Sequence, residues 1–167
     1  MVSPIKKAIK KGTFPVPINS GEIKQDISIT SNLPTKLSKE KIINQAIKFH
    51  REGNIPEAGK YYQYCINQGF NDHRVFSNYG TILKSLGKLQ DAELSYRKAI
   101  EINPDFADAH SNLGNLLKEL GKLQDAELSY RKAIEINPDY AEAYSNLGNL
   151  LKELGKLQDA EISYRKA

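Results

Sequence analysis

SNLGNLLKELGKLQDAELSYRKA, residues 111–133, returns at 145–167 with a single change, Leu128 to Ile162. The offset is 34 residues. Extended upstream, 107–133 and 141–167 differ only at Asp108/Glu142, His110/Tyr144 and Leu128/Ile162. One period earlier, GKLQDAELSYRKAIEINPD is intact at 87–105. A further period back, 39–72 is a degenerate copy that keeps Gly53, Ala58, Tyr62 and Ile66. A fixed period of this size marks a stack of small supersecondary units, none able to bury its apolar face alone. The units are 39–72, 73–106, 107–140 and an incomplete 141–167.

Each unit reads as two helices. Leu113, Leu116, Leu117 and Leu120 have the i, i+3, i+4, i+7 spacing of an apolar helix stripe. Gly121 then breaks the helix, suited to the left-handed position after a C-cap. Leu123, Ala126, Tyr130, Ala133, Ile134 and Ile136 form the second stripe, and Asn137-Pro138 ends it because the residue before proline is pushed out of the helical region. Pro56 stands near the start of the second helix of the first unit, where a missing N–H costs little. Gly80, Gly114 and Gly148 on the first helices, with Ala92, Ala126 and Ala160 on the second, predict close backbone approach beside Tyr96, Tyr130 and Tyr164.

The unit carrying Gly114, Ala126, Tyr130, Ala133 and Pro138 resembles the tetratricopeptide repeat, over residues 39–167. The first unit departs from the pattern at Ala46, Cys65 and Phe70. The resemblance implies an all-α, right-handed superhelical solenoid of antiparallel helix pairs whose first helices line the concave surface. A fold of this kind does not by itself name a function.

On that surface the sixth residue of every unit is Asn44, Asn78, Asn112 or Asn146, and the ninth is Asn115 or Asn149 in the last two units. Ser77, Ser111 and Ser145 stand around them, with Lys84, Lys118, Lys152, Glu119 and Glu153 at the helix end. An amide offers donor and acceptor together, so a column of asparagines suits the backbone of an extended peptide whatever its side chains. The Ser-Asn-Leu-Gly run at 111–114 and 145–148 is similar to repeats of O-linked N-acetylglucosamine transferase, and that resemblance implies an asparagine ladder gripping substrate backbones. Recent duplication of the repeats accounts for the same column without selection for binding. A clamp for a C-terminal carboxylate fits poorly: it needs basic residues where Asp108 and Asn112 stand, and Arg74 is the single basic residue at a second position.

The remaining features point away from chemistry. His50, His73 and His110 lie in different units without metal-ligand spacing, and no phosphate loop or nucleophile elbow is present, so no catalytic, cofactor or metal site is expected. Cys65 fills a small-residue core position, and a lone cysteine fits a cytoplasmic setting. Acidic residues such as Asp91 and Glu93 suit the positive end of the second helices. No apolar run is long enough to span a bilayer.

The net charge of +4 lies in residues 1–38, with six lysines against Glu22 and Asp26 (6 − 2 = +4), whereas the rest balances at 18 basic and 18 acidic residues. Lysines without arginine and with one aromatic, Phe14, are a weak nucleic-acid signal, so this stretch is expected to be a basic, proline-containing arm, extended or disordered. A short strand within 22–30, or an arm lying in the groove, are alternatives. At the other end Leu147, Leu151 and Ile162 are expected to leave an apolar face uncapped. Two function classes follow. One is a protein-interaction module binding a peptide or partner protein, alone or recruiting substrates for a downstream transferase. The other is a structural solenoid that assembles with itself through the uncapped end.

Overall fold

The computed structural model describes residues 38–167; the arm, strand and groove-occupancy expectations for residues 1–37 lie outside the described residues. Eight helices follow one another in the described residues: α1 Lys39–Arg51, α2 Ile55–Asn67, α3 His73–Ser85, α4 Leu89–Ile102, α5 Ala107–Glu119, α6 Leu123–Ile136, α7 Ala141–Glu153 and α8 Leu157–Tyr164. All belong to one compact unit, Lys36–Ala167.

Local chemistry sets the helix ends. Ser38 Oγ accepts from Lys41 N at 3.4 Å, Asn54 Oδ1 from Glu57 N at 3.4 Å and Asp72 Oδ1 from Arg74 N at 2.9 Å, so three helices begin on side-chain caps. Each first helix stops at a glycine in the left-handed region, Gly121 at φ 72°. There Gly121 N donates to Lys118 O at 3.0 Å and Lys122 N to Leu117 O at 2.9 Å, the paired bonds of a Schellman ending. The middle second helices end at Asn103 and Asn137, both extended ahead of a proline. The first unit lacks that proline and ends α2 differently. Gly69 takes φ 69°, Phe70 N reaches Cys65 O at 2.9 Å, and the Phe70 ring turns into the core.

Packing within a pair follows the glycine–tyrosine match. A Cβ on Gly114 would lie 2.7 Å from the Tyr130 ring, and one on Gly80 2.9 Å from Tyr96, so these positions exclude any side chain while the ring stays where it is. Tyr96 and Tyr130 are 1% exposed, beside the fully buried Ala92 and Ala126. One apolar cluster runs from Leu83 to Ala160 through the successive pairs. Leu147 and Leu151 belong to it, buried at 3% and 1%, contrary to the expectation that they form an open end. The same cluster holds Tyr130 of α6 and Ala160 of α8, with Ile134 packed against it. What lies open there is Leu157 at 64% and Tyr164 at 42%. Ile162, at 58%, is no special feature of the end, because Leu94 and Leu128 at the same repeat position are exposed too.

Each helix touches its predecessor and successor, and α1, α3, α5 and α7 also touch one another in series. No two second helices do so among the described residues. The first-helix side is therefore the tight, inner side of the stack and the second-helix side is splayed outward. This is the solenoid of antiparallel helix pairs expected from the repeat.

Candidate functional site

On α5 the buried residues are Ala109, Ser111, Leu113, Gly114, Leu116 and Leu117. What remains for the inner surface is a stripe at i, i+4, i+7 and i+11: Asp108, Asn112, Asn115 and Glu119. The same stripe on α7 is Glu142, Asn146, Asn149 and Glu153. Asn44 is exposed on α1, and Asn78, Asn112 and Asn146 are half-buried on α3, α5 and α7. All four sixth-position asparagines thus stand on the helices that line the inner side. Asn115 is half-buried and Asn149 exposed.

The ninth position has a partner that sequence reading missed. Tyr130 Oη donates to Asn115 Oδ1 at 2.7 Å, and Tyr164 Oη to Asn149 Oδ1 at 2.9 Å. In the second unit Tyr96 Oη donates to Thr81 Oγ1 at 3.2 Å, and Thr81 Oγ1 in turn donates to Ser77 O at 3.3 Å. In the first unit Ile47 has nothing to offer, and the Tyr62 hydroxyl lies 3.5 Å from His50 Nδ1. Burial pushes the Tyr62 phenol up, against a hydrogen bond with the Asn78 side chain that lowers it. A polar residue recurring fifteen places before a buried tyrosine was the available signal, legible only once the pair is known to fold together.

Other groove residues divide differently from expectation. Ser77 and Ser111 are 2% and 1% exposed, so they belong to the helix packing and not to the groove surface. The Ser111 hydroxyl has no hydrogen-bond partner among the described residues. The lysines and glutamates at the helix end pair across the repeat boundary: Lys84 with Glu119 and Lys118 with Glu153, both at 3.3 Å. Arg74 spends its guanidinium on Asp72 at 2.8 Å and Glu40 at 2.9 Å, which hold its charge more firmly still, leaving it unsuited to a carboxylate clamp. At the other pole, Glu93 is more than a complement to a helix dipole. It accepts from Lys122 of the next unit and from Arg97 of its own helix, both at 2.8 Å, and these cations hold its carboxyl below the usual range, with the Lys122 bond the largest cause.

Cys65 is fully buried, and burial raises its thiol to about 11. His110 Nε2 meets Pro104 O at 2.9 Å, and His73 packs edge-on to Phe106 with centroids 4.6 Å apart. Among the described residues no group of three His, Cys, Asp or Glu is placed to hold a metal ion. No helix among them is long and apolar enough to cross a membrane. On the outer side the splay leaves two equivalent recesses of about 490 and 410 Å³, edged by Leu128 and Ile162.

The family model for the TPR repeat matches residues 80–121 and again 114–155. No curated protein matches the sequence. Among solved structures, MamA is 21% identical, with a TM-score of 0.70 over 77% of this chain and 75% of that one. The O-GlcNAc transferase of Thermobaculum terrenum is 24% identical, with a TM-score of 0.64 over 68% of this chain but 22% of its own. The first TPR of Spaghetti (RPAP3), solved with an HSP90 peptide, is 22% identical, with a TM-score of 0.65 over 70% of this chain and 93% of that one. At these identities the likeness speaks to fold. Together with the family match and the helix-pair geometry, it makes residues 80–155 tetratricopeptide repeats, within a stack of helix pairs that shares the fold of those structures.

Proposed function

We propose that this chain is a protein-interaction module that binds an extended peptide, or an extended segment of a partner protein, along its inner face. The observation that carries this is the row of amides Asn44, Asn78, Asn112 and Asn146, one per first helix, joined on α5 and α7 by Asn115 and Asn149. Interactions with the ligand backbone supply affinity without demanding particular side chains, and the stacking of the repeats spaces the rungs. Arg74 with Glu40, Lys84 with Glu119 and Lys118 with Glu153 are tied to each other, which leaves the amides, together with the carboxylates of Asp108 and Glu142, to meet a ligand. A domain of the same fold with an HSP90 peptide bound supports this use of the architecture.

The test is capture from native lysate by the wild-type chain and by the Asn78→Ala, Asn112→Ala, Asn146→Ala triple variant, with helical content compared first. Proteins retained by the wild type and lost by a folded variant are the expected result. Equal retention by both removes the amide row as the binding surface.

A further inference from the structure

Tyrosine hydroxyls reach the groove from beneath, and they divide its amides into two kinds. A primary amide carries its carbonyl and its NH2 on opposite sides of one carbon, and the plane can flip. At Asn112 and Asn146 nothing among the described residues chooses between the two orientations. At Asn115 and Asn149 a tyrosine does, because the second-helix ring lies pressed over Gly114 or Gly148 and its hydroxyl arrives against Oδ1 at 2.7 or 2.9 Å. The Tyr130 ring is 1% exposed, so its hydroxyl must donate to an acceptor within the fold, and burial raises its pKa to about 12, so that proton stays in place; Tyr164 makes the same bond from a more open position.

From this we propose that Tyr130 and Tyr164 are positioning residues of the groove, turning the NH2 groups of Asn115 and Asn149 outward as dedicated donors to main-chain carbonyls of an extended peptide. The proposal rests on the groove reading above. With Oδ1 held inward, both N–H groups of each side chain face away from the tyrosine. An extended strand presents carbonyls along its edge, the acceptors such donors require. The fully furnished rungs then lie on α5 and α7 alone. On α3 the hydroxyl of Thr81 is consumed between Tyr96 and Ser77, and on α1 the ninth residue is Ile47. The grip therefore centres on the third and fourth units, with Asn78 and Asn44 as outlying single amides.

The probe is the strongest binder recovered by the wild-type chain from a random linear peptide library, measured by calorimetry against three double variants. Asn115→Asp with Asn149→Asp keeps an acceptor for each tyrosine and the same shape but deletes the donors. Affinity is expected to fall roughly tenfold or more, two hydrogen bonds being removed at about two- to tenfold each. Tyr130→Phe with Tyr164→Phe keeps the rings over their glycines and frees the amides. It is expected to weaken binding about threefold, with the side-chain amide NMR signals of Asn115 and Asn149 losing their wild-type positions while helical content holds. Asn112→Ala with Asn146→Ala tests the underlying reading. If that variant binds as wild type, or if no peptide is recovered, the groove reading itself is overturned. If it loses binding while both the aspartate and the phenylalanine variants bind as wild type, the groove stands and the assignment of Tyr130 and Tyr164 is overturned.

Discussion

A single missing Cβ, at Gly80, Gly114 or Gly148, decides how closely the tyrosine ring packs in each of the last three helix pairs. Alanine is the better helix former by about 1 kcal/mol, so propensity alone makes Gly114→Ala stabilising. Sterics oppose this: the new Cβ would sit 2.7 Å from a ring that is 1% exposed and tethered through its hydroxyl to Asn115. Overpacking of this kind costs about 1–3 kcal/mol, so after the propensity gain the net expectation is a loss of up to roughly 2 kcal/mol in chemical denaturation. The first unit shows how nature escapes the clash. It carries Ala46 at the glycine position, and there the tyrosine hydroxyl meets His50 and not the ninth residue. Cys65 yields a second residue-scale expectation. Fully buried, with its thiol raised to about 11, it should ignore a disulfide reagent at neutral pH until the protein is unfolded. Prompt labelling of the native chain would show that α2 opens locally.

Between elements, the junctions are held by pairs that cross the repeat boundary. Glu127 accepts from Lys156 at 2.7 Å and from Arg131 at 2.8 Å, with its side chain only 14% exposed. These bonds, the Lys156 bond first, lower its pKa from the ordinary 4.5. A carboxyl with a depressed folded-state value adds stability that is complete above the unfolded-state pKa and disappears as pH falls through the folded one. Denaturation midpoints should therefore drop as pH descends below about 4.5. Glu127→Gln should flatten that descent and cost on the order of 1 kcal/mol at pH 7. An unchanged acid slope would place the loss elsewhere. These junction pairs also mark where sequence reading stops. Helix ends were legible because Gly121 and Asn137-Pro138 act on their own neighbours in the chain. The asparagine column was legible because repetition by 34 residues places like positions on like helices. The burial of Ser77 and Ser111 was not, since it depends on how the helices pack and not on their neighbours in the chain. Nor was the pairing of Lys84 with Glu119, or of Tyr130 with Asn115, because each is a meeting of two helices whose relative rotation no local pattern encodes.

For the whole molecule the open question is whether the array stacks on copies of itself, and the junction chemistry bears on it directly. The far face shows Leu157 at 64% and Tyr164 at 42%, where the same tyrosine in the preceding unit is at 1%, so apolar area is on offer. Apolar area alone does not choose a partner; charge register does. At each of the last two internal junctions a lysine meets a glutamate 35 positions later, as Lys118 meets Glu153, and a glutamate meets a lysine 29 positions later, as Glu127 meets Lys156. Carried one unit further, Lys152 and Glu161 are the groups awaiting such partners. A second copy stacked in the same register would bring its Arg51 to Lys152 and its Asn54 to Glu161, a like-charge contact and a carboxylate that keeps Arg165 but gains no lysine across the boundary. End-to-end association of the chain in this register is therefore not expected, and sedimentation should show one species at all concentrations. Arg51→Glu with Asn54→Lys builds the missing match. The lost cap bond from Asn54 is tolerable, since Lys88, Lys122 and Lys156 begin their helices without one. That variant should associate progressively with concentration and dissociate in high salt. If the wild type associates and Leu157→Ser abolishes it, apolar burial outweighs the charge mismatch, and self-assembly becomes the stronger account of this face.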